Sequence, residues 1–266
     1  MDWLAHLDVE KLLLFTLVLI RVSGVVVVAP VFGTPEVPAQ VRALLAVALA
    51  AVVVPGQWHV AVAYPGSIVN LLVFGGAELA IGVCLGLGVV ILLSGIQLAG
   101  QMIGRTSGLM MADIFDPASG ESTSVFGHLL YMLALAVFLL IGGHRILVAG
   151  LLETFAAIPP GAANLPAGVG EALVVLLAQS FALGVRAAAP VITAVLLSTL
   201  IMGLISRTLP QLNILAVGFG LNTMLALGTM ALALGGCLWV FEGTIEPAIA
   251  TVFEALALPG PESLDW

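Results

Sequence analysis

The 266-residue chain is 61% hydrophobic and 8% charged, with a mean hydropathy of +1.23, whereas soluble proteins carry about 25% charged residues. No stretch has soluble-domain composition, so the chain reads as one all-α integral membrane domain. Its net charge of −8, from seven scattered Lys and Arg against fifteen Asp and Glu, excludes a nucleic-acid binder, which needs clustered cations to neutralise phosphates.

About 20 mainly apolar residues cross a hydrocarbon core. The opening MDWLAHLDVEK carries three acids before the first apolar run. A secretory signal needs a positive leader and a cleavage site instead, so a retained span is expected over residues 12–32, with Arg21 inside it. Further spans are expected over 41–63, 67–99, 125–158, 172–205 and 214–241. That makes about six hydrophobic helical elements, several of them kinked, over-long or hairpin-like. The second weakens after Pro55, at Gln57 to His59. The fourth is split by Gly142-Gly143-His144-Arg145 and reads either as one broken helix or as a hairpin of two short ones. The fifth is too long for an upright span and contains Arg186 and Pro190. A proline inside a helix removes a hydrogen bond and kinks it. Such segments suit helices packed in a protein assembly better than helices bathed in lipid.

Cations set an orientation. Arg42, Arg105 and Arg207 follow the first, third and fifth spans, and the loops at 55–66 and 159–170 carry no Lys or Arg. The positive-inside rule then places the arginine loops in the cytoplasm and both termini outside. Lys11 is the counterexample, and Arg145 fits only if its segment does not fully cross. Of the thirty glycines, Gly82 and Gly86, and again Gly100, Gly104 and Gly108, follow one another at four-residue steps. This spacing lets membrane helices approach closely, either within one subunit or against a partner.

Ionisable groups within membrane segments are costly and are usually paired or functional. Arg21, Glu78, Glu153 and Arg186 are the deep ones. They read as a structural polar pair or inter-subunit contact. Alternatively, in a secondary transporter, Glu78 would be the ion site and Arg21 or Arg186 its counter-ion. His6, His59, His128 and His144 show no metal-ligand spacing, and Cys84 and Cys237 sit in apolar runs as small hydrophobes. No nucleophile elbow, zinc-protease helix or phosphate loop occurs. Neither a catalytic group nor a metal or cofactor is therefore expected.

The most unusual stretch is residues 100–124, GQMIGRTSGLMMADIFDPASGESTS, a polar, glycine-rich break between apolar runs. Asp116-Pro117-Ala118-Ser119-Gly120 reads as a turn. Ahead of it stand Leu109, Met110, Met111, Ile114 and Phe115. Deformable methionines suit a seal, and an apolar constriction can gate a pore; the same residues also suit a re-entrant turn packed in the subunit core. A second break, residues 206–213, makes a polar hairpin tip that serves as a connector or a docking point.

Taken together, several motifs resemble the FliR family of the flagellar type III export gate and, less specifically, its virulence-injectisome counterparts. They are Arg21-Val22-Ser23-Gly24, Ala29-Pro30-Val31-Phe32-Gly33, Pro38-Ala39-Gln40-Val41-Arg42, Gly100-Gln101-Met102-Ile103-Gly104, Asp116-Pro117-Ala118-Ser119-Gly120, Gly143-His144, and Pro210-Gln211-Leu212-Asn213 leading to Gly218-Phe219. Their order across about 200 residues carries the resemblance. The chain departs from the pattern at Gly220-Leu221-Asn222, where the family often has Pro and Lys.

The resemblance implies a non-enzymatic, all-helical subunit packed with FliP and FliQ homologues in a hetero-oligomeric gate, with an FlhB homologue docked on it. The gate would lie in the bacterial inner membrane, in the flagellar basal body, and pass unfolded flagellar subunits in transit. Residues 1–171 would be a FliP-like part with a plug loop near 100–124, and 172–266 a FliQ-like helical hairpin. Gly108, Leu109, Met110, Met111, Asp113, Phe115 and Asp116 would form the pore plug. Met110, Met111 and Phe115 would close it, and Asp113 and Asp116 would fix the loop. Arg207, Pro210, Gln211 and Asn213 would face the cytoplasm and the FlhB homologue.

Overall fold

The computed structural model describes residues 9–34, 37–60, 62, 64, 66–108, 124–162, 168–209, 211, 214–256 and 258. Every regular element among them is a helix. In chain order these are α1 (Val9–Val28), α2 (Ala39–Val53, running into a 3-10 turn over Val54–Gln57), α3 (Ile68–Thr106), α4 (Val125–Leu140), α5 (Gly143–Ala157), α6 (Val169–Thr208) and α7 (Ile214–Ala255). Five helices are long and apolar enough to cross a membrane, and a sixth span results if α4 and α5 count as one broken crossing. The protein is thus an all-α membrane protein.

One expectation from the sequence is met and two shift. The 125–158 run, read as a broken helix or a hairpin of two short ones, is two helices bent by 64° at Ile141 and Gly142, the latter turning the chain at φ +77°. α3 does not stop near residue 99 but continues to Thr106, so residues 100–106 belong to the helix and the break starts at Ser107. α7 passes residue 241 and runs through Pro247 to Ala255. Its extension holds because Ile245, Ala248, Ile249, Val252 and Phe253 form a buried stripe at helical spacing while Glu246 and Glu254 face out. Pro190 likewise sits inside an unbroken α6. Helix ends carry suitable charges: Glu10 and Glu171 lie in the first turns of α1 and α6, and Arg105 and Arg207 in the last turns of α3 and α6.

The chain packs as two compact units, each assembled from distant pieces of sequence. Unit 1 comprises Met1–Ile91, Ile141–Leu176 and Glu246–Trp266; unit 2 comprises Leu92–Leu140 and Leu177–Ile245. In unit 1, α1 and α3 cross backbone to backbone at Gly24 and Gly82, where an added Cβ would meet the Leu79 or Arg21 carbonyl. The end of α7 packs there too, with Val252 against Gly88 and Phe253 against Gly150. In unit 2, Gly95 of α3 lies on the Ser180 carbonyl of α6, and Gly184 of α6 lies on the Gly95 carbonyl. Gly100 abuts Phe126 and Gly127 of α4. Gly82, Gly86, Gly100 and Gly104 therefore all serve packing within this chain.

Candidate functional site

The described ends of the polar break, at Ser107 and Ser124, both lie in unit 2. At its start, Ser107 is 1% exposed; its N–H donates to the Ile103 carbonyl (2.9 Å) and its Oγ to the Gly104 carbonyl (3.1 Å). These bonds serve the carbonyls that the end of α3 leaves open. Gly108 follows at φ +81°, the left-handed geometry that stops helices and favours glycine. At the far end, the carbonyl of buried Ser124 accepts the His128 N–H at 3.0 Å, starting α4. The two ends meet, because a Cβ on Gly104 would fall on the Ser124 Oγ and one on Gly100 would fall on Gly127. The end of α3 and the start of α4, which flank residues 109–123, are thus held together by glycine contacts. The Phe219 ring of α7 also approaches Gly108, to 3.2 Å from where a Cβ would stand.

Of the residues expected to plug a pore, only Gly108 is described; Leu109, Met110, Met111, Asp113, Phe115 and Asp116 lie outside the described residues. At the hairpin tip between α6 and α7, Arg207 and Gln211 are exposed, while Pro210 and Asn213 lie outside.

The four deep charges separate. Arg21 and Glu78 are both fully buried and form an ion pair, with Arg21 Nε donating to Glu78 Oε2 at 2.6 Å. The rest of the guanidinium is also occupied. Nη1 donates to the Thr154 carbonyl (2.9 Å) and hydroxyl (3.1 Å), Nη2 donates to the Ile158 carbonyl (2.9 Å), and Cζ lies 4.3 Å from the centre of the Phe155 ring. The other carboxylate oxygen of Glu78 accepts the Gly161 N–H at 2.9 Å. The cation thus serves carbonyls at the C-terminus of α5, where a positive charge is favoured. One buried node ties α1, α3 and α5 of unit 1 together. Glu153, half-buried, and Arg186, exposed, take no part in it.

In unit 2, Asn222 links the last two helices. Ser198 Oγ donates to Asn222 Oδ1 (2.8 Å), and Asn222 Nδ2 donates to Thr199 Oγ1 (3.2 Å). Sequence reading missed Phe219 and Asn222 as contact residues. Their position beside Gly218-Phe219, at the one departure from the family pattern, was the available signal. Among the described residues no three His, Cys, Asp or Glu side chains gather as a metal site, and Cys84 and Cys237 are free thiols.

A family model described as bacterial export proteins, family 1, matches residues 12–248. The chain is 29% identical over 255 residues to the flagellar biosynthetic protein FliR of Bacillus subtilis, covering 92% of this chain and 95% of that protein. It is 31% identical over 235 residues to the protein of the same name from Escherichia coli K12, covering 86% and 85%. For the one from Caulobacter vibrioides, identity is 30% over 229 residues, covering 85% and 90%.

Proposed function

The chain belongs to family 1 of the bacterial export proteins, and from that premise we propose that it is a core, non-enzymatic subunit of the flagellar type III export gate. It forms, with FliP and FliQ homologues in the bacterial inner membrane, the channel for unfolded flagellar subunits. The observation that carries this reading is the tether at Gly100, Gly104, Ser124 and Gly127. A long polar break held at both ends by packed helices is a loop that can be presented to a pore and still keep its base fixed. Irregular backbone at membrane depth is tolerated only where protein or a cavity surrounds it. On that base, Leu109, Met110, Met111 and Phe115 supply the seal, and Asp113 and Asp116 hold the turn. The tip carrying Arg207, Pro210, Gln211 and Asn213 faces the FlhB homologue. Residues 1–171 act as the FliP-like part and 172–266 as the FliQ-like hairpin.

The pairing of Glu78 with Arg21 is common to the structural reading and to a secondary transporter; the engagement of both Glu78 oxygens, by Arg21 and by the Gly161 N–H, favours the structural one.

Co-expression with FliP and FliQ homologues, followed by purification of a tagged chain in mild detergent and mass measurement, tests the assignment. A stable complex of defined mass is expected. A well-behaved lone monomer would overturn it. In the assembled complex, deletion of residues 108–115 should make cells leak ions and small molecules; unchanged permeability would remove the plug role while leaving the subunit assignment intact.

A further inference from the structure

Arg186 stands near the middle of α6, exposed, and makes no ion pair or hydrogen bond among the described residues. It lines a cleft of about 420 Å³ in unit 2 with Pro190 of its own helix and Leu232, Gly236, Trp239 and Val240 of α7. Pro190 has no N–H, so the Arg186 carbonyl, four residues earlier, receives no helical hydrogen bond. Arg186 thus brings a cationic donor to the lining of the cleft, and its own carbonyl has no helical donor. The walls are apolar and outward-facing, with Leu232 88% and Trp239 75% exposed.

The level of the cleft along the helices is also marked. Between Arg186 and Arg207, residues 187–206 are twenty uncharged residues. At 1.5 Å per residue they span about 30 Å, the thickness of a hydrocarbon core. On α7 the uncharged run lasts from 214 to 241 and ends at Glu242, three residues after Trp239. Arginine and tryptophan at the end of an apolar span characterise the membrane–water boundary.

We infer that this cleft binds the headgroup of an anionic phospholipid of the phosphatidylglycerol kind. The phosphate oxygens accept hydrogen bonds from the Arg186 guanidinium, and a glycerol hydroxyl of the headgroup donates to the Arg186 carbonyl. The acyl chains lie along the exposed apolar side of α6, over Leu196, Leu200 and Leu204, toward Arg207. A phosphatidylcholine has the phosphate but lacks a hydroxyl donor, and its own cation opposes Arg186. The site does not depend on the export-gate assignment, only on the membrane character of α6 and α7.

Native mass spectrometry of the full chain in mild detergent, titrated with phosphatidylglycerol or phosphatidylcholine of matched acyl chains, tests the inference. Retention of phosphatidylglycerol is expected to be about tenfold stronger, the scale of one charge-assisted contact. Arg186→Gln should bring it down to the phosphatidylcholine level, and Arg186→Lys should keep part of the preference. Gly236→Leu provides a second variant that leaves the charge in place. Gly236 lines the cleft and nothing lies within 4 Å of an added Cβ, so the larger side chain should narrow the cleft and weaken the preference. Equal binding of the two lipids, or binding indifferent to both variants, would overturn the site. So would loss of a partner subunit from the co-expressed complex on Arg186→Gln with lipid retention unchanged, since the occupant would then be a neighbouring carboxylate.

Discussion

Two arginines inside apolar helices have opposite surroundings. Arg21 in unit 1 is fully buried, with its guanidinium shared among Glu78, Thr154, Ile158 and the Phe155 ring. Arg186 in unit 2 is exposed and has no such partner among the described residues. The glycines divide by helix rather than by unit. Gly24 and Gly82 of α1 and α3, and Gly95 and Gly184 of α3 and α6, have backbone against them, whereas Gly203 at the end of α6 and Gly218, Gly220, Gly228, Gly235, Gly236 and Gly243 of α7 have nothing within 4 Å of an added Cβ. In their most apolar windows, 61% of α3 and 44% of α1 are buried but only 22% of α2, 28% of α6 and 22% of α7, so the open faces lie on α2, α6 and α7. The difference separates what the chain completes by itself from what it offers to its surroundings. A saturated charge stabilises this fold, and an open one addresses something outside it.

The two arginines should respond in opposite ways when charge is removed. Glu78→Ala leaves Arg21 buried without a counter-charge, which costs about 3–5 kcal/mol. The chain is expected to fail to accumulate, or to melt far lower in detergent. Arg186→Met removes an exposed charge and should stay within about 0.5 kcal/mol of the parent. Replacing both members of the buried pair, as Arg21→Met with Glu78→Met, should recover part of the loss, because no orphan charge remains. Equal melting shifts for Glu78→Ala and Arg186→Met would erase the distinction between the regions.

These contrasts were only partly legible in the sequence. The long apolar runs of α1, α3 and α6 were plain, because a membrane helix needs little beyond length and hydropathy. That Arg21 chooses Glu78, 57 residues away, was not, since the choice depends on where Gly24 lets α1 touch α3. Gly100 and Gly104 stand in the sequence both within the break and in the small-residue spacing of packed helices; the second reading holds, since they are helical and Ser124, Phe126 and Gly127 press on them. The extension of α7 was masked by Glu242, Glu246 and Pro247, which read as an ending. The period of Ile245, Ala248, Ile249, Val252 and Phe253 carried the correct signal. For the candidate plug, residue types indicated a break but not its anchorage, which needs the α3–α4 contact.

The glycines should show a smaller contrast of the same kind. Gly82→Val would push a side chain into the Arg21 carbonyl, with the Gly24 Cα also close by. Backbone cannot step aside as a flexible side chain can, so a loss of about 3 kcal/mol is expected. Gly228→Ala, with open space around it, should be neutral or stabilise by up to about 1 kcal/mol through better helix propensity. The paired thermal midpoints decide. A destabilising Gly228→Ala in the isolated chain would mean that the open face is not open.

The smallest effect tests whether unit 2 has any polar lock of its own. Asn222 is held by Ser198 and Thr199 across α6 and α7, where few other side chains are buried. Interhelical hydrogen bonds in membranes average about 0.6 kcal/mol, because the separated helices also find partners. A double-mutant cycle between Ser198→Ala and Asn222→Ala should therefore give a coupling of about 0.6 kcal/mol, several times less than loss of the Arg21–Glu78 pair. A coupling near zero would leave the α6–α7 register to packing alone. A coupling as large as the buried pair's would make the hairpin as self-sufficient as unit 1, and the division between a completed region and an offered one would fall.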